Sequence, residues 1–239
     1  MMQNNRIAIV IPVYNHGRQI TPVVRECLAL GHPVFVVDDG SDDETGTAID
    51  AVDGIVALHH PRNLGKGAAL LTGFKAARDA GCRAAVTLDG DGQHLPADIP
   101  LLTAARDPDS REIIIGCRRG MNADNKNVPW TSRFGRGFSN FWVRVAGGPR
   151  VSDSQSGFRL YPLPEVLELG VRARRYQFEV EVLVRARQHN IPVREVEVQV
   201  VYQKRGERVS HFRPWTDFLR NALTFNRLIW SRLFRIVGK

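Results

Sequence analysis

The first continuous apolar run of the chain is Arg6-Ile7-Ala8-Ile9-Val10-Ile11-Pro12, and the second is Pro33-Val34-Phe35-Val36-Val37. Short apolar runs that stop at proline or at a polar turn predict buried β-strands. Between them, residues 19–30 have the pattern of a helix that ends at Gly31. Because a buried strand, a helix and a second buried strand form the unit of a parallel sheet, this opening predicts an α/β fold.

The same alternation continues beyond the second strand. Further strands are predicted at residues 54–59, 83–88, 112–116 and 193–201, and further helices at 65–80, 96–106 and 177–189. These elements predict a Rossmann-like fold with a mostly parallel sheet flanked by helices. In such sheets ligands bind beyond the carboxyl ends of the strands, so the polar residues that follow each strand are the first candidates for a site.

The composition of the 239 residues is that of a globular chain, with 43% hydrophobic and 24% charged residues. No apolar run approaches the roughly 18 to 20 residues that span a bilayer, so we do not expect an integral membrane protein. Residues 1–6 are polar and lack the zones of a secretory signal. The three cysteines are widely spaced and fit neither a disulfide framework nor a zinc site, which favours the cytoplasm.

The charge is distributed unevenly along the chain. Residues 1–110 contain 9 basic and 14 acidic residues, whereas residues 111–239 contain 24 basic and 11 acidic residues. A strongly basic second half indicates a surface for anions such as phosphates, nucleic acid or membrane lipids. The alternative is a basic surface that only faces solvent.

The sharpest motif is Asp89-Gly90-Asp91-Gly92-Gln93-His94, which follows the predicted strand at 83–88. Two carboxylates two positions apart can both reach a hard divalent cation, and Gln93 can add a third oxygen. Such a cation keeps open positions for substrate phosphates and can neutralise a departing diphosphate. The alternative is a hydrophilic turn with a helix-capping aspartate.

Two further polar segments lie near the ends of strands or the starts of helices. Asp38-Asp39-Gly40-Ser41 could accept hydrogen bonds from a nucleotide base or ribose, or Ser41 and Asp42 could cap the next helix. Arg62-Asn63-Leu64-Gly65-Lys66-Gly67 could bind an anion at a helix start, or form an ordinary tight loop. It lacks the Walker A spacing, so a nucleotide triphosphatase is not supported.

Five motifs occur in a fixed order along residues 7–212. They are Ile9-Val10-Ile11-Pro12-Val13-Tyr14-Asn15, Val36-Val37-Asp38-Asp39-Gly40-Ser41, Asn63-Leu64-Gly65-Lys66-Gly67, Leu88-Asp89-Gly90-Asp91-Gly92-Gln93-His94 and Asp153-Ser154-Gln155-Ser156-Gly157-Phe158-Arg159. Together they resemble the family 2 glycosyltransferases, in the branch of dolichyl-phosphate mannose synthases and polyprenyl-phosphate glucosyltransferases.

The resemblance implies a GT-A fold at residues 1–212, and the apolar and basic pattern that follows predicts an amphipathic helical tail at residues 213–239. The resemblance also implies a metal-dependent inverting enzyme that uses Mg²⁺ or Mn²⁺. The enzyme would move a hexose from a nucleoside-diphosphate sugar, of the GDP-mannose or UDP-glucose type, to a polyprenyl or dolichyl phosphate. A hydroxyl of a lipid, polyketide-like or saccharide acceptor is the alternative, and a basic nucleic-acid-binding module is a weaker one that no visible motif supports.

The site residues follow from the matched motifs. Binding of the nucleotide sugar is assigned to Pro12, Tyr14, Asn15, Asp39, Lys66, Asp89 and Ser210. By the same resemblance the metal ligands would be Asp89, Asp91 and Gln93, and the catalytic set would be Asp89, Asp91, Arg118, Arg133, Asp153 and Arg205. The family's late Arg-x-x-Gly-x-Ser-Lys pattern is matched at Arg205 and Ser210 but has Arg208 and His211 in place of glycine and lysine.

The acceptor decides whether a general base is needed. A phosphate acceptor is already an anion, so catalysis would depend on alignment and on charge neutralisation of the leaving diphosphate. A hydroxyl acceptor would require a carboxylate base, for which Asp153 is the candidate. The alternative is that Asp153 only orients the turn at Gly157.

Two aromatic and basic segments have two interpretations each. Residues 215–237 predict an amphipathic helix with arginines at positions 220, 227, 232 and 235, and residues 130–145 combine aromatic residues with arginines. Either segment could lie at the interface of an anionic membrane, as a peripheral contact on its cytoplasmic face. Alternatively, the helix packs on the catalytic core or on a partner subunit.

Overall fold

The computed structural model describes residues 6–117, 130–199 and 222–230, with the backbone alone for residues 130–136. The strands are β1 (Ile7–Val13), β2 (Val34–Asp38), β3 (Ile55–His59), β4 (Ala84–Thr87), β5 (Ile113–Cys117), β6 (Arg159–Pro162) and β7 (Val193–Glu197). The helices are α1 (Gly17–Leu28), α2 (Thr45–Asp50), α3 (Lys66–Asp79), α4 (Ile99–Ala105), α5 (Trp130–Val145), α6 (Leu163–Glu168) and α7 (Phe178–Gln188), with a 3₁₀ turn at Pro96–Asp98 before α4. Residues 222–230 are also helical and are called the C-terminal helical segment below.

The described strands form one sheet in the order β3-β2-β1-β4-β6-β5-β7. All neighbouring pairs are parallel except those of β6, which runs antiparallel to both β4 and β5. The prediction of a mostly parallel sheet flanked by helices is therefore confirmed. Four elements, β6, α2, α5 and α6, were not predicted from the sequence, and the strand predicted to reach residue 201 ends as β7 at Glu197.

The central strands are buried on both sides because helices cover both faces of the sheet. Every residue of β1, β2, β4 and β5 is buried, as their continuous apolar sequences require. Along β1, Ala8 and Val10 join one core cluster while Ile9 and Ile11 join the other. The two clusters are thus the two faces of a single sheet, and the loops at its carboxyl edge are held by a rigid frame.

The C-terminal helical segment packs against the core. Phe225 and Leu228 are buried, and the rings of Phe225 and Trp142 of α5 are 6.2 Å apart. The guanidinium of Arg227 donates to Glu181 of α7 over 2.6 Å. Of the two interpretations for this part of the chain, the described residues support packing on the core, while the division into residues 1–212 and 213–239 stays a prediction.

The described helices include none with the length and apolarity that crossing a membrane requires.

The packing of the C-terminal helical segment predicts a specific loss of stability. Phe225→Ala removes a buried ring and should lower the free energy of unfolding by about 3 kcal/mol, measured by urea denaturation. Leu223→Ala in the same segment is the control, because Leu223 is 63% exposed and should lose little. Equal stability of Phe225→Ala and the wild-type chain would contradict the packing seen here.

Candidate active site

The loops that follow β1 and β2 are joined by hydrogen bonds at the carboxyl edge of the sheet. The backbone N–H of Asn15 donates to Ser41 Oγ over 2.9 Å, and its side-chain amide donates to Asp42 Oδ1 over 2.6 Å. Asn15 has a φ of 54°, in the left-handed region that asparagine tolerates better than most residues. Tyr14 and Asn15 are therefore brought beside the Asp38–Asp39 loop, as the shared strand edge predicted.

Asp39 organises the glycine-rich loop before α3. Its Oδ1 accepts hydrogen bonds from His60 Nδ1 and from the backbone N–H of Leu64, and its Oδ2 accepts from the N–H of Gly65 over 2.7 Å. Asp39 is 3% exposed, so these bonds are protected from water. Its structural task is to fix residues 60–65 against the end of β2, and its assignment to the nucleotide base stays a prediction.

Helix α2 is not capped by Ser41 or Asp42, so that alternative for the second motif is wrong. Ser41 instead donates to Asp38 Oδ1 through both its N–H and its hydroxyl. Asp43 accepts from the N–H of Thr45, the first residue of α2, over 2.9 Å. The carboxylate at the start of α2 is therefore that of Asp43, one residue beyond Asp42. Ser41 instead closes the turn after β2.

Lys66 lies between two carboxylates. Its ammonium nitrogen is 2.7 Å from Asp89 Oδ1 and 2.8 Å from Glu179 Oε1. Burial opposes ionisation of Asp89, but the charge and hydrogen bond of Lys66, together with His94 and His16, outweigh it, and the pKa of Asp89 is lowered. Burial likewise opposes the charge of Lys66, but Asp89 and Glu179 together raise its pKa. Lys66 therefore binds two carboxylates of the protein itself, and its assignment to the nucleotide sugar stays a prediction.

The fifth motif reaches the same place through Gly157. A Cβ atom at this position would lie 2.5 Å from Lys66 Nζ and 2.9 Å from Asp89 Oδ2. The carbonyl of Gly157 accepts from the hydroxyl of Thr87, at the end of β4, over 2.7 Å. A side chain at this position would therefore displace the ammonium of Lys66 or the carboxylate of Asp89 from their present contact.

Asp91 and Gln93 form the rest of the candidate metal site. The side-chain amide of Gln93 donates to Asp91 Oδ2 over 2.7 Å, and its backbone N–H donates to Asp91 Oδ1 over 3.0 Å. Binding a cation through Gln93 would require its amide oxygen to turn toward the ion. Two carboxylates and one amide fit Mg²⁺ or Mn²⁺ that shares its other ligands with a diphosphate. Groups of three or more His, Cys, Asp or Glu residues suited to a metal are absent from the described residues.

Asp153 lies in the interior of the protein. It is 1% exposed, and its backbone N–H donates to Glu195 Oε1, which also accepts from the N–H and hydroxyl of Ser152. A general base must reach its substrate. The burial of Asp153 supports the alternative that it orients the turn leading to Gly157, and its role as a base stays an untested prediction.

The remaining predicted residues fall at the margin of the described chain. Pro12 is buried within β1, next to Val37 of β2. Arg133 lies in the first turns of α5, without a described side chain. Arg118, Arg205 and Ser210 lie outside the described residues, so their roles also stay predictions.

Sequence reasoning missed Glu179 and the part that Arg159 plays. Arg159 is fully buried and donates to the backbone carbonyls of Ser154, Ser156 and Glu179. The signal for Glu179 was its position in Phe178-Glu179-Val180-Glu181-Val182, a charged residue within a run of apolar residues. A buried charge in such a helix implies a partner on another element.

The fold is the GT-A fold of glycosyltransferases. Solved structures with this architecture include glucosyl-3-phosphoglycerate synthase of Mycobacterium tuberculosis, crystallised with Mn²⁺, uridine diphosphate and phosphoglyceric acid. It matches with a TM-score of 0.69 at 18% identity, covering 96% of this chain and 78% of that one. At this identity the likeness concerns the fold.

The sequence identifies the family. Residues 8–164 match the family described as Glycosyl transferase family 2, and the chain belongs to this family. One relative, the UDP-N-acetylglucosamine–dolichyl-phosphate N-acetylglucosaminyltransferase of Methanococcus voltae, is 32% identical over 84% of this chain and 88% of its own length. The polyprenol monophosphomannose synthase of Mycolicibacterium smegmatis is 30% identical over 86% of this chain and 80% of its own length.

The pairing of Asp89 with Lys66 predicts a pH-dependent contribution to stability. Because the pKa of Asp89 is lowered by folding, its ionised form stabilises the protein above the ordinary carboxyl pKa, and this contribution is lost as the pH falls through the lowered value. The metal-free wild-type chain should therefore have a higher Tm than Asp89→Asn near about pH 7, with a difference that shrinks toward about pH 3. A difference that stays constant over this range would contradict the ion pair.

Proposed function

We propose that this protein transfers a hexose from a nucleoside-diphosphate sugar to a polyprenyl or dolichyl phosphate, with inversion at the sugar carbon. The observation that carries the proposal is the Asp89–Asp91–Gln93 turn at the carboxyl edge of the sheet, beside the loops after β1 and β2. A lipid phosphate as acceptor is supported by the relatives, whose names specify dolichyl phosphate and polyprenol. Their names specify different sugars, so the proposal covers both UDP- and GDP-linked donors.

Asp89, Asp91 and Gln93 would hold Mg²⁺ or Mn²⁺, which would neutralise negative charge on the departing diphosphate. Asp39 and its hydrogen bonds keep the edge that receives the nucleotide rigid, so little reorganisation is needed on binding. The acceptor phosphate is an anion that needs no base, and the arginines at positions 118 and 133 are proposed to align it, since a guanidinium can bind phosphate through two hydrogen bonds. Arg205 is proposed to bind the phosphates of the donor.

Peripheral contact with an anionic membrane belongs to the same proposal. The C-terminal helical segment packs on the core through Phe225 and Leu228, and it exposes Leu223 and Trp230. Phe141 of α5 is 58% exposed, and its ring is 5.4 Å from that of Trp142, which in turn contacts Phe225. Exposed apolar residues within a basic half of the chain favour binding to anionic lipid at the cytoplasmic face.

The metal assignment is tested by Asp91→Ala. This change should lower sugar transfer to polyprenyl phosphate at least about 100-fold and should remove the Mn²⁺-dependent rise in Tm caused by UDP- or GDP-sugars. The matched control is Asp109→Ala, in Asp107-Pro108-Asp109, which has the same spacing but an exposed position before β5. Transfer that survives Asp91→Ala would refute the assignment.

The membrane contact is tested by Leu223→Asp. The wild-type chain should sediment with phosphatidylglycerol vesicles, and the exposed charge should reduce the bound fraction several-fold without changing Tm. Phosphatidylcholine vesicles, which carry no net charge, are the control for the electrostatic part. A wild-type chain that binds neither kind of vesicle would contradict this part of the proposal.

A further inference from the structure

Glu179 is a buried carboxylate with few partners. It is the second residue of α7 and is 3% exposed. Its Oε1 is 2.8 Å from Lys66 Nζ in an ion pair, and neither carboxylate oxygen has a well-oriented hydrogen-bond partner among the residues that the structure describes. An ionised group in this setting destabilises a fold unless its partners compensate fully.

Glu181, two positions along the same helix, shows what full compensation is. It is completely buried and accepts hydrogen bonds from the backbone N–H groups of Arg172 and Ala173 and from the guanidinium groups of Arg185 and Arg227. The structural role of Glu181 is clear from these bonds. Glu179 has no comparable set, so its presence requires a reason other than stability.

The surroundings of Glu179 supply that reason. Lys66 contacts both Asp89 and Glu179 through one nitrogen. The guanidinium of Arg159 is a second buried cation, and its donors go to backbone carbonyl oxygens, including that of Glu179. The printed bonds of Arg159 thus go to the backbone, and Lys66 is the cation that Asp89 and Glu179 both contact.

We propose that Glu179 is a positioning residue that balances the charge of Lys66, so that Asp89 keeps its own negative charge available to a divalent cation. The inference rests on the proposed function, because it assumes that Asp89 belongs to the metal site. Lys66 holds the Asp89 carboxylate in place. Without Glu179, the positive charge of Lys66 would also neutralise the negative charge of Asp89 that attracts the metal. With Glu179 present, Lys66 can orient Asp89 while its single positive charge is shared between two carboxylates.

The charge balance predicts effects of opposite sign. Glu179→Gln removes a negative charge close to Asp89 and should weaken Mn²⁺ binding about tenfold. Lys66→Gln removes the positive charge but keeps a side-chain donor that can hold Asp89, and it should strengthen Mn²⁺ binding. The double variant should bind Mn²⁺ with an affinity close to that of the wild-type chain, because it removes one negative and one positive charge and leaves the net charge beside Asp89 unchanged.

The experiment is a titration of the full chain with Mn²⁺, in which electron paramagnetic resonance measures the free ion, with UDP present and again with GDP. Thermal unfolding of each variant is recorded without metal. Glu179→Gln should keep or raise the wild-type Tm, because an incompletely paired buried charge is removed. Glu181→Gln is the matched control on the same helix, and it should lower Tm while leaving the affinity for Mn²⁺ unchanged.

The outcomes separate this inference from the proposed function. A wild-type chain that binds no Mn²⁺ with either nucleotide overturns both. Equal affinity for Mn²⁺ in the wild-type chain and in Glu179→Gln overturns the role of Glu179 alone. The same conclusion follows if Glu179→Gln lowers both the affinity for Mn²⁺ and the Tm, because the loss of binding then reflects a loss of stability. If Glu179→Gln does not fold, Lys66→Gln decides, since weaker binding in that variant contradicts the charge balance.

Discussion

The ion pair between Lys66 and Asp89 joins the parts of the chain that form the site. Lys66 begins α3, Asp89 follows β4, and Gly157 leaves the space in which their charged groups meet. Asp39 positions the loop from which Lys66 emerges, by accepting hydrogen bonds from Leu64 and Gly65. The geometry of the acidic turn therefore depends on contacts between segments that are far apart in sequence.

The reversed strand β6 explains how the fifth motif arrives at the site. Because β6 lies between β4 and β5 and runs antiparallel to both, the residues just before it are delivered to the carboxyl end of β4. Gly157 thereby comes beside Asp89, and Arg159 secures the approach through carbonyls of its own loop and of α7. A purely parallel sheet would place the residues before a strand at the opposite edge.

The sequence allowed the frame of the protein to be predicted, but not the contacts behind the site. Continuous apolar runs gave β1, β2, β4 and β5 to within about two residues, since buried strands leave a direct mark on composition. β6 was missed because its four residues include Arg159 and Pro162, which do not resemble a strand. Local patterns also contain no information about the approach of Lys66, Asp89 and Glu179, which are separated by long stretches of chain. The acidic turn was recognised from its motif, whereas the charge that supports it became visible only in three dimensions.

Helix α7 connects this charged centre with the end of the chain. Residues two apart on a helix project roughly 200° from each other, so Glu179 and Glu181 are held by cations on opposite sides of the helix axis. Anchored in this way, α7 resists rotation and behaves as a rigid spacer between the acidic turn and the C-terminal helical segment. If that segment rests on a bilayer, as proposed, the spacer fixes the height of the sugar-transfer site above the lipid surface, and with it the reach required of a lipid-borne phosphate.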